Sequence, residues 1–311
     1  MYTRTPLVAT ACAILTAALA PSANAQAFDA VGIRAQGMGG AFVAVADDAT
    51  ATWWNPAGLA AGAYFNATFE YGRLVPPADG TVGVDRFRGG GIALALPSLG
   101  LSFYRTALPA PSVASSTAGT PAGRQEESSL STLGVTVGQS VGDHLVVATT
   151  AKLLRGAGAS TSTLDVGALA RAGVLRAGIS VRDVTRPALG EGANLVELPR
   201  VARAGVAVSD AAERIRVDFD ADLTTTRDWP PAEGGVGAEV RHAALGGEVW
   251  APSKRFGLRA GVSWNTVGDA RRTGSVGASI ALRSGGYLEG QLTGGSDLSR
   301  RGWSIGTRVT F

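Results

Sequence analysis

Trp303-Ser304-Ile305-Gly306-Thr307-Arg308-Val309-Thr310-Phe311 closes the chain, and its alternation decides the fold. Trp303, Ile305, Val309 and Phe311 share one face, with Thr307 the only hydroxyl among them. Ser304, Gly306, Arg308 and Thr310 share the other. Period 2 with apolar residues on one side reads as a strand with one greasy and one wet surface. A soluble sandwich would turn the greasy face to its core and has no need to end on an aromatic.

The same rhythm runs upstream. Residues 213–224 carry it most cleanly, with Ile215, Val217, Phe219, Ala221 and Leu223 opposing Arg216, Asp218, Asp220 and Asp222. Strands are expected at 64–75, 129–140, 145–155, 163–171, 175–184, 200–209, 239–250, 256–265, 273–283, 286–294 and 301–311. Residues 91–107 add two more, joined at Pro97-Ser98. The total is about fourteen. Short connections at 97–98, 141–144, 172–174, 210–212, 251–255 and 284–285 alternate with longer ones at 76–90, 108–128, 156–162, 185–199, 225–238, 266–272 and 295–300. That asymmetry belongs to membrane barrels, with short periplasmic turns and longer external loops. Lipid leaves no water for unpaired backbone groups, so such a sheet has to close on itself. The expected fold is therefore all-β: a transmembrane antiparallel β-barrel of about fourteen strands, too wide for its own side chains to fill.

Composition agrees with this class. Only 17% of residues are charged, there are 43 glycines, and mean hydropathy stands just above zero. Lipid-facing and lumen-facing residues average out in this way along barrel strands. Residues 1–25 read as a secretory leader. Arg4 supplies the positive start, Leu7–Ala20 the apolar run, and Ala23-Asn24-Ala25 a small-x-small site for cleavage near Ala25. Cys12, the single cysteine, lies in that leader, so no disulfide or thiol chemistry is expected in the mature chain. The formal charge of +3 is spread along the sequence without a basic run, which argues against nucleic acid.

The segment before the first strand reads differently. Gly32-Ile33-Arg34-Ala35-Gln36-Gly37-Met38-Gly39-Gly40-Ala41 leads into Phe42–Ala46. Asp47-Asp48 is then expected to open a short helix, and Trp53-Trp54-Asn55-Pro56-Ala57-Gly58-Leu59 to end it. Pro56 fixes its own φ and keeps Asn55 out of the α region, leaving the Asn55 amide to cap or bridge backbone groups. The order Gly-x-Arg-Ala-x-Gly-Met-Gly-Gly-Ala, Asp-Asp, Trp-Asn-Pro-Ala-Gly-Leu resembles the N-terminal plug of the FadL/TodX outer-membrane family, which PorV-type and TraF-like proteins share.

The resemblance implies a leader at 1–25, a plug at 26–60 and a barrel at 61–311. It makes Asn55, Pro56 and Ala57 the plug motif, and places Phe42, Trp53 and Trp54 beside a ligand path. It further implies a channel in the Gram-negative outer membrane for passive uptake of hydrophobic or amphipathic small molecules such as long-chain fatty acids. The alternative is a PorV-like scaffold of a secretion or surface-assembly system that transports nothing. The terminal strand ending in Phe311 resembles the signal read by the barrel assembly machinery. Expected partners are thus that machinery, outer-membrane lipid and a hydrophobic ligand.

Catalysis finds little support. His144 and His242 are the only histidines, and neither stands with a serine in a hydrolase pattern. No enzyme, metal or cofactor is expected. Alternation instead turns Arg182, Arg216, Asp218, Asp220, Glu248, Arg259 and Arg308 into the lumen, together with Arg176, Asp222 and Glu289. There, cross-strand pairing can build a polar network.

Overall fold

A computed structural model describes residues 23–24, 31–74, 88–107, 129–156, 158–191, 195–227, 239–297 and 300–311. The expected leader and the connections expected at 76–90 and 108–128 fall largely outside the described residues. Fourteen strands close into one barrel. They are β1 (Asn66–Leu74), β2 (Arg88–Leu96), β3 (Leu99–Ala107), β4 (Ser129–Val141), β5 (Leu145–Gly156), β6 (Ala159–Ala172) and β7 (Leu175–Arg182). The other half comprises β8 (Val201–Ser209), β9 (Ile215–Asp222), β10 (His242–Trp250), β11 (Phe256–Asn265), β12 (Arg272–Arg283), β13 (Gly286–Gly295) and β14 (Gly302–Thr310). Every strand pairs antiparallel with its neighbours in sequence, and β14 returns to β1 from Gly302–Leu74 to Thr310–Asn66.

The seam ends on aromatics. Phe65 N–H donates to the Phe311 carbonyl at 3.2 Å, and Phe311 N–H donates back to Phe65 at 2.9 Å. The two rings stack with centroids 6.3 Å apart. Both ends of the barrel sequence therefore meet at the rim that carries the short turns.

The outer surface is apolar. Phe69, Ile92, Leu101, Leu133, Val166, Val206, Leu258, Val276 and Ile305 are all exposed on outward positions. In water this would be an aggregation surface; in lipid it is solvated. The buried core instead sits inside the barrel, where Val31, Met38, Phe42, Trp53, Trp54 and Leu59 meet Ala93, Tyr104 and Val201 of the wall. Residues 31–62 fill this space as irregular chain with two short helices, α1 (Ile33–Gly37) and α2 (Ala51–Trp54), and a 3-10 turn at Pro56–Ala61. The helix expected to open at Asp47-Asp48 begins instead at Ala51. The Asp48 carboxylate accepts from the Thr50 N–H at 2.9 Å and its hydroxyl at 2.5 Å, which holds that stretch in a turn.

Three boundaries differ from the sequence reading. The connection expected at 156–162 is shorter, because Ser160, Thr161 and Ser162 continue the ladder against β5 along with Thr163. Their hydroxyls suit a strand that rises above the apolar belt. Strand β7 stops at Arg182 rather than 184, since Asp183 adopts a left-handed conformation, φ 52°, and turns the chain inward. The strand expected over 239–250 is split: Glu239–Val240 pairs with Thr226–Arg227 in a small outer hairpin, and β10 starts at His242.

The β7 boundary leaves an interruption. The β5–β6 ladder runs out to Gly156–Ala159, but the β6–β7 ladder begins only at Val166–Val181. Residues 159–165 of β6 thus lack a barrel strand on that side. The returning chain packs nearby inside the barrel, where Leu189, Val196 and Leu198 meet the inward-facing Leu130 of β4 and Leu154 of β5, with Ala159 of β6 at the edge.

Phe311→Ala removes one ring of the seam pair and should lower barrel stability by about 0.5–1.5 kcal/mol beyond the lost contact area. Heat-modifiable migration of the folded barrel should shift to lower temperature; an unchanged transition would remove the stacked pair from the closure.

Candidate functional site

The wall makes room for residues 31–62 with glycines. Inward-facing Gly167, Gly178, Gly246, Gly261 and Gly277 stand on five strands where the inner segment comes closest. A Cβ on Gly246 would lie 2.3 Å from the Met38 carbonyl oxygen, and one on Gly261 2.2 Å from the same atom. At Gly178 it would lie 2.7 Å from the Val43 carbonyl oxygen. Main chain packs on main chain here, and a side chain would force backbone to move.

Charge fixes the segment within this groove. The Arg34 guanidinium donates to Asp47 at 2.7 Å, to Asp48 at 2.8 Å and to Glu248 of β10 through two bonds at 3.1 and 2.8 Å. Burial alone would depress Arg34, but the facing carboxylates outweigh it and raise its pKa. Asp47 also accepts from Arg216 of β9. Burial pushes the Asp47 carboxyl up, yet Arg216 and Arg34 overcome this and hold it well below the usual carboxylate range. In the short turn beneath, Glu213 accepts from Arg216 at 2.9 Å and from Arg176. Burial acts upward on Glu213 as well, and Arg176 and Arg216 bring it down.

Glu248 also accepts from Arg259 at 2.8 Å. Arg259 reaches Glu289 at 3.3 Å, and Arg308 of the closing strand donates to the same carboxylate at 3.1 Å. One continuous polar network therefore joins β9, β10, β11, β13 and β14 to the inner segment. Asp220 accepts the Phe42 and Val43 N–H groups at 2.7 and 2.9 Å. Asp218 lies fully buried at the level of Ala44. Glu70 takes the Gly32 N–H at 3.0 Å, and Asn66 the Ala49 N–H at 2.9 Å. Wall carboxylates and amides thereby satisfy backbone donors that regular secondary structure leaves open.

Asn55 is the other anchor. Its backbone is extended, φ −155°, and its side-chain oxygen accepts the Ala57 N–H at 3.2 Å to cap the 3-10 turn begun by Pro56. The amide nitrogen donates to Val43 at 2.9 Å and to Ala168 of β6 at 3.1 Å, so a single side chain ties turn, inner segment and wall together.

The three aromatics separate. Phe42 and Trp54 are fully buried and meet edge to face at 6.1 Å, with the Trp54 indole N–H donating to the Val31 carbonyl at 2.9 Å. Trp53 faces the upper lumen, where Tyr104 meets its edge at 5.4 Å and Arg182 stacks on its ring at 4.0 Å. Arg182 stands 3.7 Å from Asp165, which with Asp183 holds Lys152 at 2.7 Å each. This second cluster lies at the foot of the wall interruption.

Arg34, Lys152, Asp165, Asp183 and the wall glycines were not singled out as site residues from sequence. Their signal was local: Arg34 lies within the Gly-x-Arg-Ala motif, and the glycines recur at inward strand positions. The backbone N–H of His242 donates to Asp222 at 3.0 Å, while His144 sits in a short turn. Among the described residues no group of three or more His, Cys, Asp or Glu is placed to hold a metal.

No family model matches the chain, and no curated protein matches it in sequence. Solved structures do match in shape. The CymD monoaromatic hydrocarbon channel aligns with TM-score 0.65 over 92% of this chain and 99% of that one, at 13% identity. The barrel has the fold of the hydrocarbon channels. The Ralstonia pickettii toluene transporter TbuX aligns with TM-score 0.61, also at 13% identity, over 92% of this chain and 99% of that one. The Pseudomonas putida toluene transporter TodX aligns with TM-score 0.57 at 12% identity, over 93% of this chain and 98% of that one. The likeness to the FadL/TodX group read from the N-terminal motif thus extends, as a fold, along nearly the whole chain.

Two outcomes follow from these anchors. Asn55→Asp sets a carboxylate against the Val43 and Ala168 carbonyl oxygens and should cost more than Asn55→Ala, which loses about 1–3 kcal/mol; urea midpoints followed by tryptophan fluorescence rank the two. Asp47→Asn should destabilise at neutral pH. A carboxylate whose folded pKa is depressed contributes fully above about pH 4 and loses its contribution as pH falls through the lower folded value. The gap between wild type and variant should therefore stay constant down to about pH 4 and close only in stronger acid. A gap that closed between pH 7 and 5 would show that Asp47 is not held by its arginines.

Proposed function

We propose that the chain is a Gram-negative outer-membrane channel for passive uptake of hydrophobic small molecules, and that residues 26–60 are its plug. The observation that carries this reading is the interruption above Val166–Val181. It lies on the same side of the barrel as Asn55, which bonds to β6, and inside the lumen near it Leu189, Val196 and Leu198 form an apolar cluster with Leu130 of β4 and Leu154 of β5. Outer-membrane barrels commonly lead water-soluble solutes through a wet lumen. Here the lumen is filled, so a hydrophobic solute would need an apolar route beside the inner segment. The wall beside β6 offers one.

The fold shared with channels for toluene and other monoaromatic hydrocarbons supports a hydrophobic cargo. Within that class we extend the reading to long-chain fatty acids, since Arg182 on the Trp53 ring, and Lys152 paired with Asp165 and Asp183 behind it, place cations near the path of a carboxylate head. In this reading Asn55, Pro56 and Ala57 shape the plug, Trp53 borders the path, and Phe42 and Trp54 hold the plug in place. Passive movement down a gradient needs neither cofactor nor nucleotide.

One observation favours the second reading, a PorV-like scaffold. Trp54 and Phe42 are fully enclosed, and Arg34 is locked by three carboxylates, as suits a permanently closed barrel.

Liposomes carrying the purified barrel should take up labelled toluene and labelled oleate faster than empty liposomes. Trp53→Ala should change the rate for both, and Lys152→Met the rate for oleate alone. Uptake equal to that of empty liposomes for both compounds would remove the transport reading and leave the scaffold.

A further inference from the structure

The outward face carries an arrangement of charge that transport does not use. Every carboxylate on the fourteen strands points into the lumen and is buried: Glu70, Asp165, Asp218, Asp220, Asp222, Glu248 and Glu289. The described outward positions at the external ends of the strands hold charge of one sign only, on Arg73, Arg105, Arg155 and Arg272.

Three of these belong together. Tyr71 of β1 stands in register with Gly90, Gly90 with Arg105, Arg105 with Ser131, and Ser131 with Arg155. Arg73 follows on the same face of β1, beyond Tyr71, and pairs in register with Trp303. Adjacent strands lie about 4.8 Å apart, so the Arg105 and Arg155 backbones are about 10 Å from each other, as are β1 and β3. Tyr71 and Trp303 meet edge to face at 6.0 Å on the lipid side. Such a pair marks the level where hydrocarbon gives way to headgroups. Arg73, two residues beyond Tyr71, therefore stands past that level, and Arg105 and Arg155 lie at the external ends of β3 and β5. Ser160 lies against the Arg155 guanidinium, 3.4 Å from its Nε, and Arg105 is exposed.

We propose that the outer ends of β1, β3 and β5 bind the phosphorylated headgroup of an outer-leaflet glycolipid through Arg73, Arg105 and Arg155. The chemistry is that of planar, permanently charged forks presented to phosphate oxygens, with no described carboxylate on that face to compete. Three cations spaced along about 20 Å of wall match a headgroup with more than one phosphate better than a single-phosphate lipid. The acyl chains would lie along the apolar positions below, on Phe69, Ile92, Phe103, Leu133 and Leu153, all exposed to lipid. This inference rests on the outer-membrane reading but not on transport: a scaffold would carry the same site.

Native mass spectrometry of the full detergent-purified barrel tests it, with added bisphosphorylated lipid A, the same lipid stripped of phosphate, and inorganic phosphate as competitor. Wild type should retain the bisphosphorylated lipid and not the stripped one, and inorganic phosphate should fail to displace it. The variant Arg73→Gln/Arg105→Gln/Arg155→Gln, checked for folding by heat-modifiable migration, should lose retention several-fold. Arg272→Gln, five strands round the wall from β3, should keep it. Equal retention by the triple variant, equal binding of stripped lipid, or an equal loss in Arg272→Gln would overturn the site. Displacement by inorganic phosphate would reassign it to the free anion and overturn the lipid claim.

Discussion

A backbone that faces hydrocarbon has no water to bond with, and the rest of this structure follows from that constraint. Fourteen strands satisfy one another only because β14 returns to β1, with the terminal Phe311 bonded to Phe65 across the seam. Closure at that strand number leaves a lumen that the wall side chains cannot fill. The chain supplies its own filling, and the segment before β1 becomes the core. Inside and outside are thereby inverted relative to a soluble protein: leucines and valines face outward, while arginines and carboxylates lie within.

Main-chain contact and ion pairing hold the inner segment by different means. The wall glycines let irregular backbone lie directly on the strands, which leaves its N–H and C=O groups in need of partners. Glu70, Asp220, Asn66 and Asn55 meet that need one bond at a time. Arg34 bridges three buried carboxylates, Asp47, Asp48 and Glu248, of which Asp47 and Glu248 also meet the wall arginines Arg216 and Arg259. Leaving such a charge unpaired costs about 3–5 kcal/mol, so the segment is confined to the position where all of them are paired. The early end of β7 leaves the outer part of β6 without a ladder partner, and an apolar cluster of Leu189, Val196 and Leu198 on Leu130 and Leu154 packs inside the barrel near it. Among the described residues the result is a barrel filled by the inner segment, with a ladder interruption between β6 and β7.

Legibility varied with the range of the interaction. Outward positions were readable because lipid imposes the same demand on every one of them, so Ile215, Val217 and Phe219 advertise their face without knowledge of any neighbour. The capping role of Asn55 was readable too, since Pro56 restricts its backbone locally. In the 156–162 connection Ser160–Ser162 look like loop residues, and only the partner strand β5 makes them a ladder. The end of β7 is likewise hidden: Asp tolerates a left-handed backbone better than most residues, but one Asp at the end of an alternating run does not by itself announce a turn. Arg34 looked like one residue of a motif. Its three carboxylate partners come from positions 47, 48 and 248, which no local pattern connects.

The sequence by itself therefore determined the class of the protein: alternating strands, a greasy outer face and an irregular Gly-rich segment ahead of them. These are properties of single residues meeting a uniform solvent, whether lipid or water. The tertiary structure alone decided which inward glycines meet which backbone, which carboxylates share Arg34, where the wall is interrupted, and which outward arginines stand side by side. Those depend on register between strands far apart in the chain. A slip of one residue would turn every side chain of a strand to the other face, and only the closed ladder excludes it.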